Sequence, residues 1–400
     1  MKQGKVYKNI AFLTTFPPKE CGIANFTEDL IQSMDIVGNL NMYVIAINEE
    51  EEYVYNKKVI STIRKNEKKD YSNLAEKLNH SEIDLLMIEH EYGIYGGKNG
   101  EYILELLDKL EIPVITTFHT ILPSPEKNQK RIIYQLGKKS EKVITMAHIT
   151  ADILETTYEI PKDKIEVIHH GVPKREIRGR DELKLRMGYE NREIISTFGL
   201  LGPGKGIEHG IEAIAKVVRT KTDSEYVNKI HKSVLYLILG QTHPSLGEKG
   251  KEYRVLLENL VSKLKLEDNV LFINKYLTKN EIITYLQLSD IYMTPYLAKD
   301  QAVSGTLAYA VGYGKAIVST PYLYAKEMLS KGGGLLGEFA NPDSLAECIK
   351  TILEDPFKKA RMERDTMKTG RTMYWDEVAL QYIQICKTSM DPNLTVEVQG

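Results

Sequence analysis

The sequence has few of the residues that build disulfide frameworks and metal sites. Its three cysteines, Cys21, Cys348 and Cys386, are far apart, and no two of them have CxxC spacing. An odd number of widely separated cysteines indicates neither a disulfide framework nor a zinc site. The segments that contain histidine also lack paired acids on a helical i, i+4 frame. We therefore expect no metal site.

The chain also lacks a dominant charge and long apolar runs. Lys and Arg total 53 against 55 Asp and Glu, and this net charge of −2 provides no broad electrostatic field for nucleic acid. No apolar run approaches the ~18 residues of a membrane-spanning helix. Residues 9–13 are too short an apolar segment for the core of a signal peptide. A cytoplasmic protein is therefore expected.

Short β-branched runs alternate with amphipathic helices along 400 residues, which is more than one domain usually contains. The predicted strands are 9–14, 42–46, 84–89, 113–117, 142–145 and 165–168, then 193–197, 234–240, 270–273, 291–293 and 316–319. Such apolar strands with helical crossovers are typical of parallel sheets covered on both faces. We predict two doubly wound α/β domains, separated within the charged stretch 173–191, and mainly helices beyond Ser319.

Helical periodicity predicts several buried faces. The expected core positions are Phe26, Leu30, Ile31 and Met34, then Ile207, Ile211, Ile214 and Val218, and finally Trp375, Val378, Ala379, Tyr382 and Ile383. Pro342 is suited to the first position of a helix that continues over 343–353.

Ligands of open α/β sheets bind outside the carboxyl ends of the strands, so the loops that follow the strands are candidate sites. The first loop, 15–23, is long for a strand-to-helix connection, and Gly22 would let the backbone approach a ligand at a helix start. The loop 89–97 begins with Glu89, His90, Glu91 and Tyr92, of which the acids and the histidine could bind hydroxyl groups. An ordinary turn and a solvated loop are the respective alternatives.

Two histidine segments follow strands of the N-terminal half. His119 comes directly after the strand 113–117 and its neighbouring Phe118, and His170 follows the strand 165–168. A lone histidine is often structural, but this position at the carboxyl end of a strand favours ligand contact.

Two further loops in the C-terminal half could bind an anion. Residues 198–206 are glycine-rich, follow a strand and open a helix beside Lys205, although the order of residues excludes a P-loop. Ser304, Gly305 and Thr306 begin another helix, whose exposed N–H groups and hydroxyl could form a second anion cradle. The two cradles could grip one diphosphate, and ordinary helix capping is the alternative for the second.

These loops, in this order, resemble family 4 of the retaining GT-B glycosyltransferases. The resemblance extends from Thr15 to about Ile385 and is strongest at 15–30, 90–93, 167–173, 198–213 and 304–324. The motifs GQTHP at 240–244 and SGTLAYA at 304–310 are similar to a bacterial mannosyltransferase-like subgroup.

The resemblance implies a GT-B fold of two Rossmann-like doubly wound domains that face each other across a cleft. Residues 1–175 would form the acceptor domain, to which a C-terminal helix at about 372–388 crosses back. Residues 176–371 would bind the nucleotide-sugar donor, and 389–400 would be a tail. The implied activity is metal-independent transfer of a hexose with retention, GDP-mannose being the favoured donor, to a sugar or glycoconjugate. The nucleotide sugar is a co-substrate, and no cofactor is expected.

Roles are expected for several residues on the same basis. The donor would be bound by Gly22, Lys205, Arg254, Ser304, Gly305, Thr306, Leu307, Tyr309 and Glu327. Catalytic contacts would come from His119, Lys205, Asp300 and Gln301, and substrate contacts from Glu91, Tyr92, His119 and His170. No nucleic acid partner or transmembrane segment is expected, while peripheral membrane contact remains open.

The sequence departs from the family at three positions. The acids of the family's Glu-x7-Glu motif correspond to Gln301 and Tyr309 here, and the arginine that precedes the phosphate lysine corresponds to Leu200. We expect Arg254 or Lys275 to supply the missing cation, and Glu327 to hold the ribose if Tyr309 faces the nucleotide. These departures keep two alternatives open: another GT-B enzyme, such as an epimerase or a phosphorylase, and a non-catalytic nucleotide-sugar-binding protein.

Overall fold

The computed structural model describes residues 8–38, 40–49, 53–242 and 246–391. The chain forms two compact units: one runs to Lys174 and resumes at Met373, and the other is Arg175–Thr372. Residues 1–7, residues 243–245 of the GQTHP region and residues 392–400 of the predicted tail lie outside the described residues.

The first unit contains a parallel sheet in the order β3-β2-β1-β4-β5-β6-β7. Its strands are β1 (Lys8–Thr14), β2 (Leu40–Asn48), β3 (Val59–Arg64), β4 (Leu85–His90), β5 (Val114–Phe118), β6 (Lys142–Thr145) and β7 (Ile165–Val167). The helices between them are α1 (Gly22–Val37), α2 (Lys68–Asn79), α3 (Ile103–Lys109), α4 (Lys127–Lys139) and α5 (His148–Thr156). The central strands are buried from end to end, as expected for a sheet covered on both faces.

The second unit repeats this architecture with the strand order β10-β9-β8-β11-β12-β13. Its strands are β8 (Glu193–Phe198), β9 (Val234–Leu239), β10 (Val270–Ile273), β11 (Ile291–Thr294), β12 (Ala316–Ser319) and β13 (Gly334–Leu336). Its helices are α6 (Arg180–Met187), α7 (Ile207–Arg219), α8 (Glu225–Ser233), α9 (Gly247–Lys263), α10 (Lys279–Leu288), α11 (Gly305–Gly312), α12 (Leu323–Leu329), α13 (Pro342–Leu353) and α14 (Pro356–Arg371). The predicted fold class, two parallel Rossmann-like α/β domains, is confirmed.

The last helix, α15 (Trp375–Met390), belongs to the first unit. The backbone N–H of Val172 donates to the carbonyl of Met373 at 2.7 Å, and Trp375 N–H donates back to Val172 at 3.0 Å. A Cβ on Gly171 would lie 2.2 Å from the Trp375 ring, so glycine is required there for the helix to pack.

The helical faces agree with their predicted periodicity, except that Val217 rather than Val218 is fully buried in α7. Two strands differ from the sequence prediction. The edge strand β3 was not predicted, because its alternate residues are partly or fully exposed. The expectation of mainly helices beyond Ser319 is confirmed, and the one strand found there among the described residues is β13, a three-residue edge strand after a glycine run. No described helix combines the length and apolarity needed to cross a membrane.

Candidate active site

The strand order of each sheet reverses near its centre, and candidate loops follow the strands at that point. In the first unit β1 is next to β4, and in the second unit β8 is next to β11. The segment that contains Lys205 follows β8, and the segment that leads to Ser304 follows β11. Doubly wound sheets bind ligands where the strand order reverses. The predicted loops therefore lie at the ligand-binding edge of each sheet.

A buried tyrosine links Lys205 to the start of α11. The Nζ atom of Lys205 lies 4.0 Å from the centre of the Tyr296 ring, and the Tyr296 hydroxyl is 2.8 Å from Thr306 Oγ1. Tyr296 also stacks on Tyr322, with ring centres 5.4 Å apart. The ring attracts the ammonium group through its quadrupole. It thereby holds a positive charge near a helix start, and no carboxylate among the described residues pairs with that charge.

Close backbone contact joins the two loops that carry these side chains. Gly206 has a φ of +60°, and a Cβ there would lie 2.1 Å from the carbonyl oxygen of Pro295. The N–H of Leu297 donates to the carbonyl of Gly204 at 3.0 Å. A larger residue at position 206 would separate the loops and shift Lys205.

The start of α11 has the geometry of an anion site at the N–H groups of Gly305 and Thr306. Ser304 is the N-cap, and its Oγ accepts from the Leu307 N–H at 3.3 Å. The Leu307 N–H is thus engaged in capping and its side chain is fully buried, and its predicted contact with the donor stays a prediction. Gly305 and Thr306 lie in the first turn, where N–H groups have no partner within the helix and the helix dipole favours an anion.

Gln301 and Lys205 line the same cavity, whose volume is about 290 Å³. The other lining residues are Leu200, Leu201, Gly202, Pro203, Gly204, Leu246 and Ala298. The Gln301 amide donates to the carbonyl of Val303 at 3.1 Å, and the neighbouring Asp300 is exposed. Gln301 is therefore accessible in the same cavity as the lysine, and Asp300 is open to solvent next to it in the sequence.

The two cations expected to replace the family's arginine are engaged elsewhere. Arg254 pairs with Glu258 at 2.6 Å and lies over the Phe272 ring at 4.0 Å, next to the edge strand β10. Lys275 forms an ion pair with Glu281. These contacts do not bring either cation to Lys205, so the expectation of a second phosphate-binding cation is not supported by their present positions.

Tyr309 and Glu327 are both half-buried in the second unit. Tyr309 lies on α11 with its ring centre 6.2 Å from that of Phe198, the last residue of β8. Glu327 lies on α12, which follows β12. Both positions are close along the chain to the ligand-binding edge, and their predicted roles toward the ribose stay predictions.

In the first unit His119 is held by Glu89, an acid of the loop 89–97 whose contact with the histidine was not predicted. His119 Nε2 is 2.8 Å from Oε2 of Glu89, whose side chain is fully buried. The Phe26 ring meets the imidazole edge to face at 4.9 Å. The signal in the sequence was a carboxylate at the end of the otherwise apolar strand β4.

His170 lies near the same ring, with its centre 5.2 Å from that of Phe26. Its Nδ1 is 2.7 Å from the carbonyl of Gly171, which can only accept. Burial lowers the pKa of His170 to about 4, so the imidazole is neutral at pH 7 and its Nε2 is an acceptor.

The loop after β4 holds both of its predicted substrate residues in half-buried positions. Glu91 accepts from the Thr120 hydroxyl and, at 3.0 Å, from the Tyr92 N–H. The Tyr92 hydroxyl is buried, and its ring packs edge to face on His90 at 5.2 Å. A substrate contact of Tyr92 would therefore use other atoms than this hydroxyl, and the predicted roles of both residues stay predictions.

Gly22 is the first residue of α1 and is exposed, with no atom within 4 Å of where a Cβ would be. Cys21 caps the helix, because its Sγ accepts from the Ala24 N–H at 3.3 Å. Backbone approach of a ligand at Gly22 is thus sterically open, as its predicted role requires. Among the described residues no group of three or more metal-ligating side chains occurs.

Comparison with known proteins identifies the family. Residues 58–176 match the family model "Glycosyltransferase Family 4", and residues 184–369 match "Glycosyl transferases group 1". A D-inositol 3-phosphate glycosyltransferase of Corynebacterium glutamicum is 23% identical over 308 residues, covering 69% of this chain and 66% of the relative. An uncharacterized glycosyltransferase of Methanocaldococcus jannaschii, MJ1069, is 24% identical over 243 residues, covering 58% and 56%.

The fold is also that of a solved glycosyltransferase structure. Anabaena Alr3699/HepE, crystallised in complex with UDP, has a TM-score of 0.74 at 16% identity, covering 95% of this chain and all of the HepE chain. The family 4 match lies in the first unit, except that its last two residues, 175 and 176, belong to the second unit. The group 1 match lies entirely in the second unit. The first unit thus matches the family 4 glycosyltransferases and the second unit the group 1 glycosyltransferases, on a GT-B fold, as the loop motifs predict.

Proposed function

We propose that the protein transfers a hexose from a nucleotide-diphosphate sugar to a carbohydrate or glycoconjugate acceptor, with retention of the anomeric configuration. The observation that carries this proposal is the pairing of Lys205 with the N-terminus of α11 through Tyr296. A diphosphate needs compact positive charge and N–H donors, and this edge of the second unit offers both.

The departing diphosphate poses the main electrostatic problem of the reaction. Negative charge develops on it while positive charge develops at the anomeric carbon, and preorganised donors stabilise the former. Lys205 and the N–H groups of Gly305 and Thr306 take this role. A phosphate oxygen of the leaving group accepts the proton of the attacking acceptor hydroxyl, so that no protein base is required.

The sugar itself is held by side chains beside the phosphate groups. Asp300 and Gln301 fix its hydroxyls, and His119 is a further sugar contact. Glu91 and His170 contribute to the acceptor side. These roles follow the family resemblance, and the position of Gln301 in the same cavity as Lys205 agrees with them.

The most specific part of the proposal is the identity of the donor, both its base and its sugar. Subgroup resemblance in the SGTLAYA segment favours GDP-mannose, whereas HepE was crystallised with UDP, UDP-glucose, and UDP with glucose. The identity of 16% makes HepE a guide to the fold alone. We therefore propose GDP-mannose as the donor to test first and UDP-glucose as its competitor.

The test is turnover by the purified full chain. GDP-mannose, UDP-glucose and an ADP-sugar are each incubated with and without a panel of sugar and lipid-linked acceptors, and release of nucleoside diphosphate and product configuration are followed by NMR. Acceptor-dependent release with an axial product supports the proposal. Equal or faster turnover of UDP-glucose would overturn the mannose assignment, and binding without turnover of any donor would favour a non-catalytic protein.

We further expect the reaction to proceed in excess chelator. The described residues contain no cluster of acids placed to hold a divalent ion on a diphosphate, so charge stabilisation falls to Lys205 and the helix start. Turnover should change less than about twofold when EDTA is added in excess. Loss of turnover with EDTA that Mg²⁺ or Mn²⁺ restores would contradict this mechanism of charge stabilisation.

A further inference from the structure

Glu89 occupies a position where the fold alone does not explain a carboxylate. It lies near the end of β4, at the centre of the sheet, where the preceding residues Leu85–Ile88 are fully buried and apolar. The Glu89 side chain is 0% exposed. A buried carboxylate costs several kcal/mol of desolvation unless partners compensate it. An apolar residue would satisfy the strand pattern at lower cost.

The contacts of Glu89 are unequal between its two oxygens. Oε2 lies 2.8 Å from Nε2 of His119, whereas Oε1 has no hydrogen-bond partner among the described residues. The two residues are brought together by strand pairing, because β4 and β5 are neighbours and the His119 N–H donates to the carbonyl of His90 at 3.0 Å. A buried carboxylate oxygen without a hydrogen-bond partner does not stabilise the fold. The one side-chain hydrogen bond that Glu89 makes among the described residues is to His119.

That contact decides which nitrogen of His119 carries a proton. An ionised carboxylate can only accept, so a hydrogen bond to it requires a proton on Nε2. In the neutral Nε2–H tautomer Nδ1 is an acceptor, and no described residue bonds to it. Only 10% of the His119 side chain is exposed, and Phe26 lies edge to face on the ring. A ligand that reaches the imidazole would meet a restricted surface with one defined acceptor.

We propose that Glu89 is a positioning residue that fixes the Nε2–H tautomer of His119, so that Nδ1 accepts a hydrogen bond from a hydroxyl of the bound sugar. This inference rests on the proposed function, because the ligand is the sugar of that reaction. It adds a selection rule: the group opposite His119 is a hydrogen-bond donor, and a deoxy or O-methyl sugar at that position is a poor substrate.

The tautomer is measured directly on the full chain by ¹⁵N NMR of labelled histidine, without any substrate. The His119 signal, assigned by its loss in His119→Asn, should show a protonated Nε2 and an unprotonated Nδ1. In Glu89→Gln the amide can donate as well as accept, so a mixture or the reverse tautomer is expected. Glu354→Gln is the matched control, because His231 Nε2 and Glu354 Oε1 form a similar pair at 2.9 Å in the second unit.

Two variants of His119 keep Glu89 intact and separate positioning from packing. Asparagine places an amide oxygen near the position of Nδ1 but loses the bond to Glu89, whereas glutamine reaches Glu89 but offers no acceptor at the Nδ1 position. The proposal therefore predicts that His119→Asn retains more turnover than His119→Gln although it is the less stable protein. A purely structural role of the pair predicts the opposite order.

For Glu89→Gln we expect kcat to fall by about 10- to 100-fold, with little change in the thermal midpoint. This is the usual size of the effect when a residue that orients a ligand-contacting side chain is altered. Glu354→Gln should change stability without changing kcat. An Nδ1–H tautomer in the native protein, an unchanged tautomer in Glu89→Gln, or glutamine outperforming asparagine at position 119 would overturn the proposal. If the native protein turned over no nucleotide sugar while the Nε2–H tautomer depended on Glu89, the proposed function would fail and the positioning contact would stand.

Discussion

Lys205 illustrates how a single side chain can be prepared for an anion without being neutralised. Its ammonium group lies over an aromatic face rather than beside a carboxylate, and the hydroxyl of the same tyrosine bonds to the first turn of a helix. A cation–π contact orients the ammonium group without neutralising it, so the group still attracts an anionic ligand. This arrangement makes Lys205 the residue whose loss should affect turnover most.

Replacing Lys205 by alanine should lower kcat/KM by about 10²- to 10³-fold, the usual cost of removing one preorganised donor at developing negative charge. The thermal midpoint should change little, because the side chain is half-buried and has no ion-pair partner among the described residues. Steady-state kinetics and a melting curve measure both effects. Lys251→Ala, at a site where the side chain is 74% exposed, is the control. Equal kinetics in the two variants would remove the phosphate role of Lys205.

The ribose contact distinguishes Tyr309 from Glu327. A carboxylate can accept from two hydroxyls at once, whereas a phenol offers a single oxygen. Glu327→Gln should therefore raise the donor KM several-fold, and Tyr309→Phe should leave it nearly unchanged because the ring still packs near Phe198. The measurement is donor KM at saturating acceptor. A rise in KM for Tyr309→Phe alone would assign the ribose contact to the tyrosine.

Some residues of the candidate site could be identified from local sequence patterns, whereas others could be identified only from contacts in the fold. Lys205 and Ser304 stand in glycine-rich turns between a strand and a helix, a local pattern with a physical meaning. Glu89 and Tyr296 act through partners 30 and 10 residues away, which only strand neighbourhood brings close. The burial of the Tyr92 hydroxyl was likewise invisible, because a loop sequence does not show which way a side chain turns.

At the scale of elements, one buried acid, Asp290, bonds to β8, α6 and α14 at the amino-terminal side of the second sheet. Asp290 lies directly before β11, is 2% exposed, and accepts from the Ile194 N–H of β8 at 2.8 Å. It also pairs with Lys184 of α6 at 2.5 Å and with Lys359 of α14 at 2.7 Å. Burial alone would raise the pKa of Asp290, but Lys359, Lys184 and Arg180 outweigh it and hold the pKa well below the ordinary value of 3.8.

Asp290→Asn should therefore destabilise the second unit by about 3–5 kcal/mol, since it leaves a buried lysine without its counter-charge. A folded-state pKa below the unfolded value gives stability that is present above about pH 4 and is lost as the pH falls. The variant should accordingly lose part of the acid sensitivity of unfolding. Urea unfolding at pH 7 and at a series of pH values below about 4 measures both effects. Asp365→Asn, in a surface pair with Lys368, should change stability by less than about 0.5 kcal/mol.

The elements predicted best are those whose burial is uniform. Strands such as β4 and β9 are buried along their whole length, so their apolar runs identify them. The edge strand β3 alternates exposed and partly buried residues, and β13 consists of Gly334–Leu336. Edge strands pair on one side only, so their sequences are under weaker hydrophobic constraint. The central strands, whose ends position the site, were therefore the most predictable part.

At the scale of the whole molecule, the chain places its single tryptophan in the first unit and the proposed phosphate contacts in the second. Trp375 is 5% exposed and its ring centre is 5.1 Å from that of Phe26 on α1. Lys205 and Ser304 belong to Arg175–Thr372. Tryptophan fluorescence therefore reports unfolding of the first unit, whereas calorimetry reports both.

A nucleoside diphosphate that binds the second unit should raise its melting transition more than that of the first. At about 100 times its dissociation constant the ligand adds ~2.7 kcal/mol of stability, which corresponds to about 5–10 °C for a domain of this size. The calorimetric transition should move by this amount, while the fluorescence transition of Trp375 moves less. In Lys205→Ala at the same ligand concentration the shift should shrink, because weaker binding lowers the occupied fraction. An equal shift of both transitions would mean that the two units unfold as one cooperative body. A shift confined to the fluorescence of Trp375 would place the nucleotide on the first unit and contradict the assignment of the phosphate contacts.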